Sequence, residues 1–296
     1  MERGTRGNMM ENLPFLSKKP SSGITPVMSN SSSSSLNTTY GVVSKTMPIR
    51  IFALRVAMSF QVAAMLLSAA ALLAYVKHEN LNGIYTSALS AMITFVAAYH
   101  YRAILKARGD APAVQAADRR ATEIEVDGLR HSDWLVTLPL LVLKLYAVIR
   151  SPNPDLIFDN AELSAFMSLI MVLLGAIARL ALDWGLPMGD MGSVQRLLVF
   201  GCYLISCGLL VVLLIDLGTA QVDSESPTLV WSFFLVWIGY PIVAIGTLVA
   251  RSSENPESDG LSLLKDISYA MLDIWSKAVF AWWTASICFG IRFLGS

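Results

Sequence analysis

The sequence is poor in the residues on which most soluble catalytic and nucleic-acid-binding sites depend. Charged residues make up 15% of its 296 residues, the formal net charge is zero, and there are three histidines and three cysteines. A balanced charge gives no reason to expect nucleic acid or an anionic membrane surface as a partner. Cys202, Cys207 and Cys288 all lie in apolar runs, which argues against a disulfide framework and a zinc site. We therefore expect no metal.

Apolar residues are abundant, at 54% of the chain, with a mean hydropathy of +0.56. Seven segments approach the roughly 20 residues that cross a hydrocarbon core as a helix. The fifth and sixth have no charged residue between 197 and 215 or between 229 and 250. We predict an all-α membrane protein, a bundle of seven transmembrane helices within residues 48–296. The segments are 51–76, 83–105, 129–149, 161–182, 194–217, 229–250 and 261–293.

Two polar stretches lie outside these segments. Residues 1–47 are rich in Ser and Asn and lack the apolar core of a cleaved signal peptide, so we expect a disordered tail. The tail contains two matches to the glycosylation pattern, at Asn30 and Asn37. Residues 107–128 mix acidic and basic side chains, which is typical of a solvated loop.

Lys277 lies near the middle of the last apolar segment, with Asp273 one helical turn before it. An ammonium group at that depth is costly and marks a functional site by default. A lysine in a dry pocket commonly forms a Schiff base with an aldehyde or ketone. Asp273 would supply part of the counter-charge.

The third segment also carries charge. Arg130, Asp133 and Thr137 follow i, i+3, i+7 spacing and share one helix face, so the carboxylate lies between a guanidinium and a hydroxyl. Lys144 follows Asp133 by eleven residues, which is about 16 Å along the axis and nearly the same face. The alternative is a set of ion pairs that merely steadies the bundle.

Three motifs together resemble a known family. The third segment has Arg-x-x-Asp-Trp-x-x-Thr-x-Pro-Leu-Leu at 130–141, the sixth has Trp-x-x-Tyr-Pro at 237–241, and the seventh has Asp-x-x-x-Lys at 273–277. The chain resembles the microbial (type 1) rhodopsins, in particular the proteorhodopsin and xanthorhodopsin group of light-driven proton pumps. The resemblance covers residues 48–296.

The resemblance implies all-trans retinal, bound covalently to Lys277 as a protonated Schiff base. Asp133 would be the primary proton acceptor, and Asp273 the second counter-ion, with Arg130 stabilising their charge. The triplet Asp133, Thr137, Lys144 resembles a small subgroup in which lysine replaces the carboxylic acid that usually reprotonates the Schiff base. Lys144 would then help reprotonation, whereas the alternative is a lysine that extends to the membrane interface.

Further residues take roles only through this resemblance. His100 matches a histidine that hydrogen-bonds the acceptor aspartate, although a helix-end histidine is ordinarily a packing residue. Leu141 matches the position where leucine accompanies green absorption, and Gly175 would leave room beside the chromophore. Flat aromatic faces would enclose the polyene, although bare aromatics in membrane helices usually only pack. The remaining pocket residues are Trp134, Trp237, Tyr240 and Pro241.

The expected function is outward proton pumping driven by light, in the plasma membrane or a eukaryotic endomembrane. Sodium and chloride pumps of the superfamily differ at the triplet, and the helices have few of the stacked polar residues of a channel. A sensory photoreceptor remains the alternative. We also expect a lipid bilayer and protons as partners and a homo-oligomer, trimer or pentamer; a carotenoid antenna stays open.

The distribution of basic residues conflicts with the membrane orientation that the resemblance implies. With the amino terminus outside, as the family implies, four basic residues fall near the long extracellular connection, against the positive-inside rule. These residues are Lys106, Arg108, Arg119 and Arg120.

Overall fold

The computed structural model describes residues 36–109, 116–149, 157–184, 192–219, 227–251 and 259–288. A π-helical segment (Ile274–Val279) contains Lys277 and is continuous with the helices before and after it. All seven predicted segments are helical where they are described, with this π segment inside the seventh. The helices are α1 (Leu36–Lys77), α2 (Leu81–Gly109), α3 (Ala116–Ile149), α4 (Ile157–Trp184), α5 (Ser193–Thr219), α6 (Pro227–Arg251), α7 (Asp259–Asp273) and α8 (Phe280–Cys288).

Four described stretches are long and apolar enough to cross a membrane, and α6 contains a shorter apolar stretch, Trp231–Thr247. α3 and α7 are not among them: α3 carries buried charges, and α7 has only 15 residues before the π segment. Apolarity alone therefore marks fewer spans than the fold contains. The four stretches are Met47–Lys77, Leu81–Arg108, Ala161–Ala181 and Ser193–Leu217.

The polar stretches differ from the sequence prediction. α1 begins at Leu36, inside the tail expected to be disordered, while residues 1–35 lie outside the described residues. The prediction of a solvated loop at 107–128 is wrong, because α3 begins at Ala116 and Asp127 is buried. Mixed charges usually cover a solvated helix face, but Glu123 and Asp127 pair with side chains from other helices.

α3 is the central helix of the bundle. It packs closely against α2 and α4, α4 packs against α5, and α6 packs against α7. The largest apolar cluster joins α2, α3, α4, α5, α6 and α8, with Leu145 and Leu213 fully enclosed. Different faces of α3 consequently meet different neighbours, which decides where each of its charged side chains points.

Two glycines allow close approaches between helices. A Cβ on Gly239 of α6 would lie 2.6 Å from Leu272 Cδ2, and one on Gly83 of α2 would lie 2.4 Å from the Tyr75 ring. Both positions exclude a side chain without movement of the neighbour. The Gly239 contact brings α6 directly onto α7, two residues before the π segment.

Candidate functional site

Lys277 is buried in the π segment, with 1% of its surface exposed. Its Nζ contacts the carboxylate of Asp133 on α3 and lies 3.2 Å from Oδ1 of Asp273. Both carboxylates are also buried. The structure thus brings the three residues together, one ammonium facing two carboxylates. Such pairing is what a charge removed from water requires.

Asp273 is held by neutral donors as well as by Lys277. Tyr101 donates to Oδ2 at 2.8 Å, while Tyr240 and the Trp134 indole donate to Oδ1 at 2.7 and 3.3 Å. Hydrogen bonds to the ionised form favour that form. Tyr101 was missed by sequence reasoning, although it directly follows His100. Both carboxylate oxygens of Asp273 thus accept hydrogen bonds from other helices.

Asp133 is less completely bonded. Among the described residues, its Oδ1 has no hydrogen-bond partner. Thr137 Oγ1 donates to the backbone carbonyl of Asp133 at 2.9 Å and not to its carboxylate. Asp133 and Thr137 share one helix face as predicted, but the Thr137 hydroxyl does not contact the Asp133 carboxylate. Asp133 keeps an oxygen that can receive a proton.

His100 lies beside Asp133 without a hydrogen bond to it. Its Nδ1 is 3.9 Å from Asp133 Oδ1, and the same nitrogen donates to the Val96 carbonyl at 2.9 Å. The imidazole is therefore oriented by its own helix. It is close enough to act on the carboxylate through its charge or through a small rotation.

Arg130 points away from the carboxylate it was expected to flank. Its guanidinium lies 2.5 Å from Asp266 and 3.3 Å from Asp127, and its central carbon lies 5.2 Å from the centre of the Tyr269 ring. The i, i+3 spacing to Asp133 proved misleading because Asp127, at i−3, and Asp266 of α7 compete for the same side chain. Among the described side chains, Arg130 forms its ion pairs with Asp127 and Asp266 and none with Asp133 or Asp273.

The partners of Arg130 belong to an ion-pair network that sequence reasoning missed. Five cations and three carboxylates from α1, α2, α3, α4 and α7 meet there, with separations of 2.5 to 3.4 Å. The adjacent Lys265 and Asp266 in the last segment were the available signal. The members are Arg50, Arg108, Glu123, Asp127, Arg130, Arg179, Lys265 and Asp266.

Glu123 lies before the apolar part of α3 and takes its charge partners from two other helices. Arg108 lies 2.5 Å and Lys265 2.7 Å from its carboxylate, and Ser262 donates to it at 2.5 Å. Burial alone would raise the pKa of Glu123, but the positive charges of Lys265 and Arg108 outweigh it and hold that pKa well below its ordinary value.

A cavity of about 440 Å³ extends from Lys277 between α3, α4, α5, α6 and α7. Its size falls within the range of about 300–1,000 Å³ usual for small-molecule sites. A Cβ on Gly175 would meet only Ser206 Oγ, at 3.7 Å, so the glycine leaves the wall open. The structure brings all the sequence-predicted pocket residues to this cavity: Trp134, Leu141, Gly175, Trp237, Tyr240, Pro241 and Lys277.

Lys144 is fully buried, which excludes a side chain that extends to the interface. Its Nζ donates to the Phe280 carbonyl at 3.4 Å and lies 4.7 Å from the centre of the Phe280 ring. Phe280 directly follows the π segment, so Lys144 contacts the helix that carries Lys277 close to that residue.

The π segment has its own support from α1. In a π-type turn the hydrogen-bond ladder shifts, so a carbonyl can need a partner from elsewhere, and none is available from lipid. Gln61, which is fully buried, donates from Nε2 to the Asp273 carbonyl at 3.0 Å. α1 thereby fixes the residue that opens this segment.

Fold and site together define a seven-helix membrane protein with a mainly apolar cavity that reaches a lysine between two carboxylates. The sequence profile of the bacteriorhodopsin-like proteins matches residues 52–289. The chain belongs to this family, whose members are integral membrane proteins that bind retinal. No curated protein sequence matches it significantly.

Several solved structures share the fold. Xanthorhodopsin, described as a light-driven ion pump with a dual chromophore, is 21% identical with a TM-score of 0.62, over 82% of this chain and 93% of that one. The light-driven proton pump of Coccomyxa subellipsoidea is 21% identical, with a TM-score of 0.56 over 80% and 95%. A proton-pumping rhodopsin of the marine alga Acetabularia acetabulum is 17% identical, with a TM-score of 0.57 over 82% and 95%.

The residues present fit retinal. The cavity is lined mainly by apolar and aromatic side chains, and the amine needed for a covalent link lies at one end. The Asp133 oxygen that has no hydrogen-bond partner among the described residues lies beside that amine. A protonated linkage there would meet the counter-charge that it requires.

Proposed function

We propose that the protein is a light-driven outward proton pump with all-trans retinal bound to Lys277 as a protonated Schiff base. The observation that carries the proposal is the contact of buried Lys277 with Asp133 and Asp273 at the end of an apolar cavity. The fold shared with proteins described as proton pumps supports the same conclusion.

Bound retinal supplies the absorption of light and an isomerisation that lowers the proton affinity of the Lys277 nitrogen. Asp133 accepts that proton, because it contacts the nitrogen directly and keeps one oxygen that no described residue hydrogen-bonds. Asp273, which accepts hydrogen bonds from three neutral donors, acts as the second counter-ion. The two carboxylates thus divide the roles of acceptor and fixed charge, and His100 tunes the acceptor.

Lys144 helps return a proton to the Lys277 nitrogen. Its amine is buried and touches the carbonyl of Phe280, three residues beyond Lys277. A neutral buried amine can accept a proton only transiently, so Lys144 relays protons and does not store them. Leu141, which is buried against the cavity, favours green absorption.

The remaining assignments follow the family. The amino terminus, with the tail 1–47, faces outside, and α3 begins on that side, so Asp133 lies nearer the exit than Lys144 does. The conflict with the positive-inside rule is reduced because Arg108 is buried between Glu123 and Asp266. The protein forms a homo-oligomer, a trimer or a pentamer, in the plasma membrane or an endomembrane. A carotenoid antenna stays open.

The test is the pH of an unbuffered suspension of cells that express the chain with all-trans retinal, recorded under green light with and without a protonophore. Acidification that the protonophore abolishes is expected. Alkalinisation would show inward transport and contradict the orientation. A coloured protein without any pH change would favour the sensory photoreceptor, and a slow photocycle would support it.

A further inference from the structure

A second cavity lies on the surface of the bundle and shares no lining residue with the retinal pocket. It is an open groove of about 650 Å³ formed by α1 and α2. Four apolar side chains make most of its wall, and two cations and one hydroxyl complete it. The lining residues are Met47, Ile51, Arg55, Met58, Ser59, Leu105 and Lys106.

The two cations of the groove differ from those of the ion-pair network one turn away. Arg50 and Arg108 are buried and pair with Asp266, whereas Arg55 and Lys106 are exposed on the bundle surface. Among the side chains that the structure describes, neither Arg55 nor Lys106 lies within ion-pair distance of a carboxylate. The groove therefore presents two positive charges that no side chain in the described part of the chain neutralises.

The position of Arg55 and Lys106 in the membrane indicates which kind of anion they can meet. Arg55 lies within the apolar stretch Met47–Lys77, and Lys106 within Leu81–Arg108. In a bilayer, both side chains lie beside hydrocarbon and extend toward the headgroups, because an unpaired charge is costly in lipid. Phosphate oxygens are the nearest anions that such side chains meet.

We propose that this groove binds one anionic phospholipid, with its phosphate between Arg55 and Lys106 and an acyl chain along Ile51, Met58 and Leu105. Ser59 is exposed at the same groove and can donate a hydrogen bond to the headgroup. The apolar wall favours a lipid over free phosphate, since inorganic phosphate would leave these side chains uncovered. The chain has zero net charge, but this groove is locally positive.

The experiment measures lipid retained by the full chain in nanodiscs of phosphatidylcholine containing one-tenth phosphatidylglycerol, released gently into a native mass spectrometer. We expect one bound phosphatidylglycerol, enriched at least fivefold over its share of the bilayer. The double variant Arg55→Gln/Lys106→Gln should lose that enrichment. The matched control is Arg102→Gln, because Arg102 is exposed on α2 one turn before Lys106 and does not line the groove.

Two results would overturn the assignment: no enrichment in the unaltered chain, or an equal loss in the Arg102→Gln control. Elution of each variant as a single species from a sizing column checks that it is folded. A competition arm with excess inorganic phosphate distinguishes the ligand sources. Retention of phosphatidylglycerol is expected, whereas its displacement by phosphate would show an anion site that does not select lipid.

Discussion

Two buried charged regions lie next to each other along α3, and they differ in how completely their charges are paired. In the ion-pair network, Asp127 meets three cations, Asp266 meets three and Glu123 meets two. At the retinal site, one described cation meets two carboxylates, and one oxygen of Asp133 has no hydrogen-bond partner among the described residues.

The difference teaches that a buried charge in a membrane helix does not by itself indicate catalysis or transport. The network joins five helices, and each of its carboxylates meets two or three cations, so it holds charges in place. The site around Lys277 keeps an Asp133 oxygen without a hydrogen-bond partner among the described residues, so it can accept a proton. Arg130 illustrates the error of treating both alike, since it was assigned to the second region and belongs to the first.

The largest effect is expected from Lys277→Ala. Among the described residues, Lys277 supplies the only amine that contacts both Asp133 and Asp273. Visible absorption after addition of retinal should disappear completely. The matched control, Lys265→Met, removes a lysine of the network and should leave a coloured though less stable protein. Pigment in the Lys277→Ala variant would contradict the entire functional proposal.

Asp133→Asn should abolish pumping while the protein still folds and binds retinal, because the amide keeps the shape of the carboxylate but cannot accept the proton. Light-induced acidification should fall to the background of cells without retinal. Comparison with Asp127→Asn sharpens the contrast between the regions. That variant should still pump, and equal losses in both would show that the network takes part in transport.

Asp127→Ala should cost stability, because it leaves Arg130, Arg179 and Lys265 without their shared carboxylate. Removing one partner of a buried ion pair typically destabilises by about 3–5 kcal/mol. The midpoint of chemical denaturation in detergent, followed through helical circular dichroism, measures the change. A loss below about 1 kcal/mol would mean that water or other residues already compensate these cations.

Lys144→Ala tests a lysine that belongs to neither region. We expect recovery of the protonated state after a flash to slow by about tenfold, increasingly at high pH, because fewer protons are available without the relay. Flash spectroscopy between pH 6 and 9 measures this decay. An unchanged decay at all pH values would remove Lys144 from the pathway.

The smallest effect is expected from Glu123→Gln, as a change in pH dependence. The pKa of Glu123 is depressed in the folded protein, so its stabilisation is fully present above the unfolded pKa of about 4.3 and is lost as the pH falls below it. The unaltered protein should therefore lose stability below about pH 4 more steeply than the variant. Parallel curves would show that Glu123 does not contribute to acid sensitivity.

Relations within one helix were predictable from the sequence. The turn between Asp273 and Lys277 and the shared face of Asp133 and Thr137 follow from helical periodicity. Relations between helices were not. Tyr101 and Gln61 reach Asp273 from two other helices, 172 and 212 residues away in sequence. No local pattern specifies which of many polar side chains will meet across a bundle.

The sequence by itself determined the seven helices, the family and the lysine with its neighbouring aspartate, because apolar length and helical spacing are local properties. Only the tertiary structure decided that Arg130 turns to Asp266, that Asp133 keeps an oxygen available, and that residues of five helices enclose one cavity. The rotation and approach of packed helices set these distances, and they depend on every side chain at the contacts.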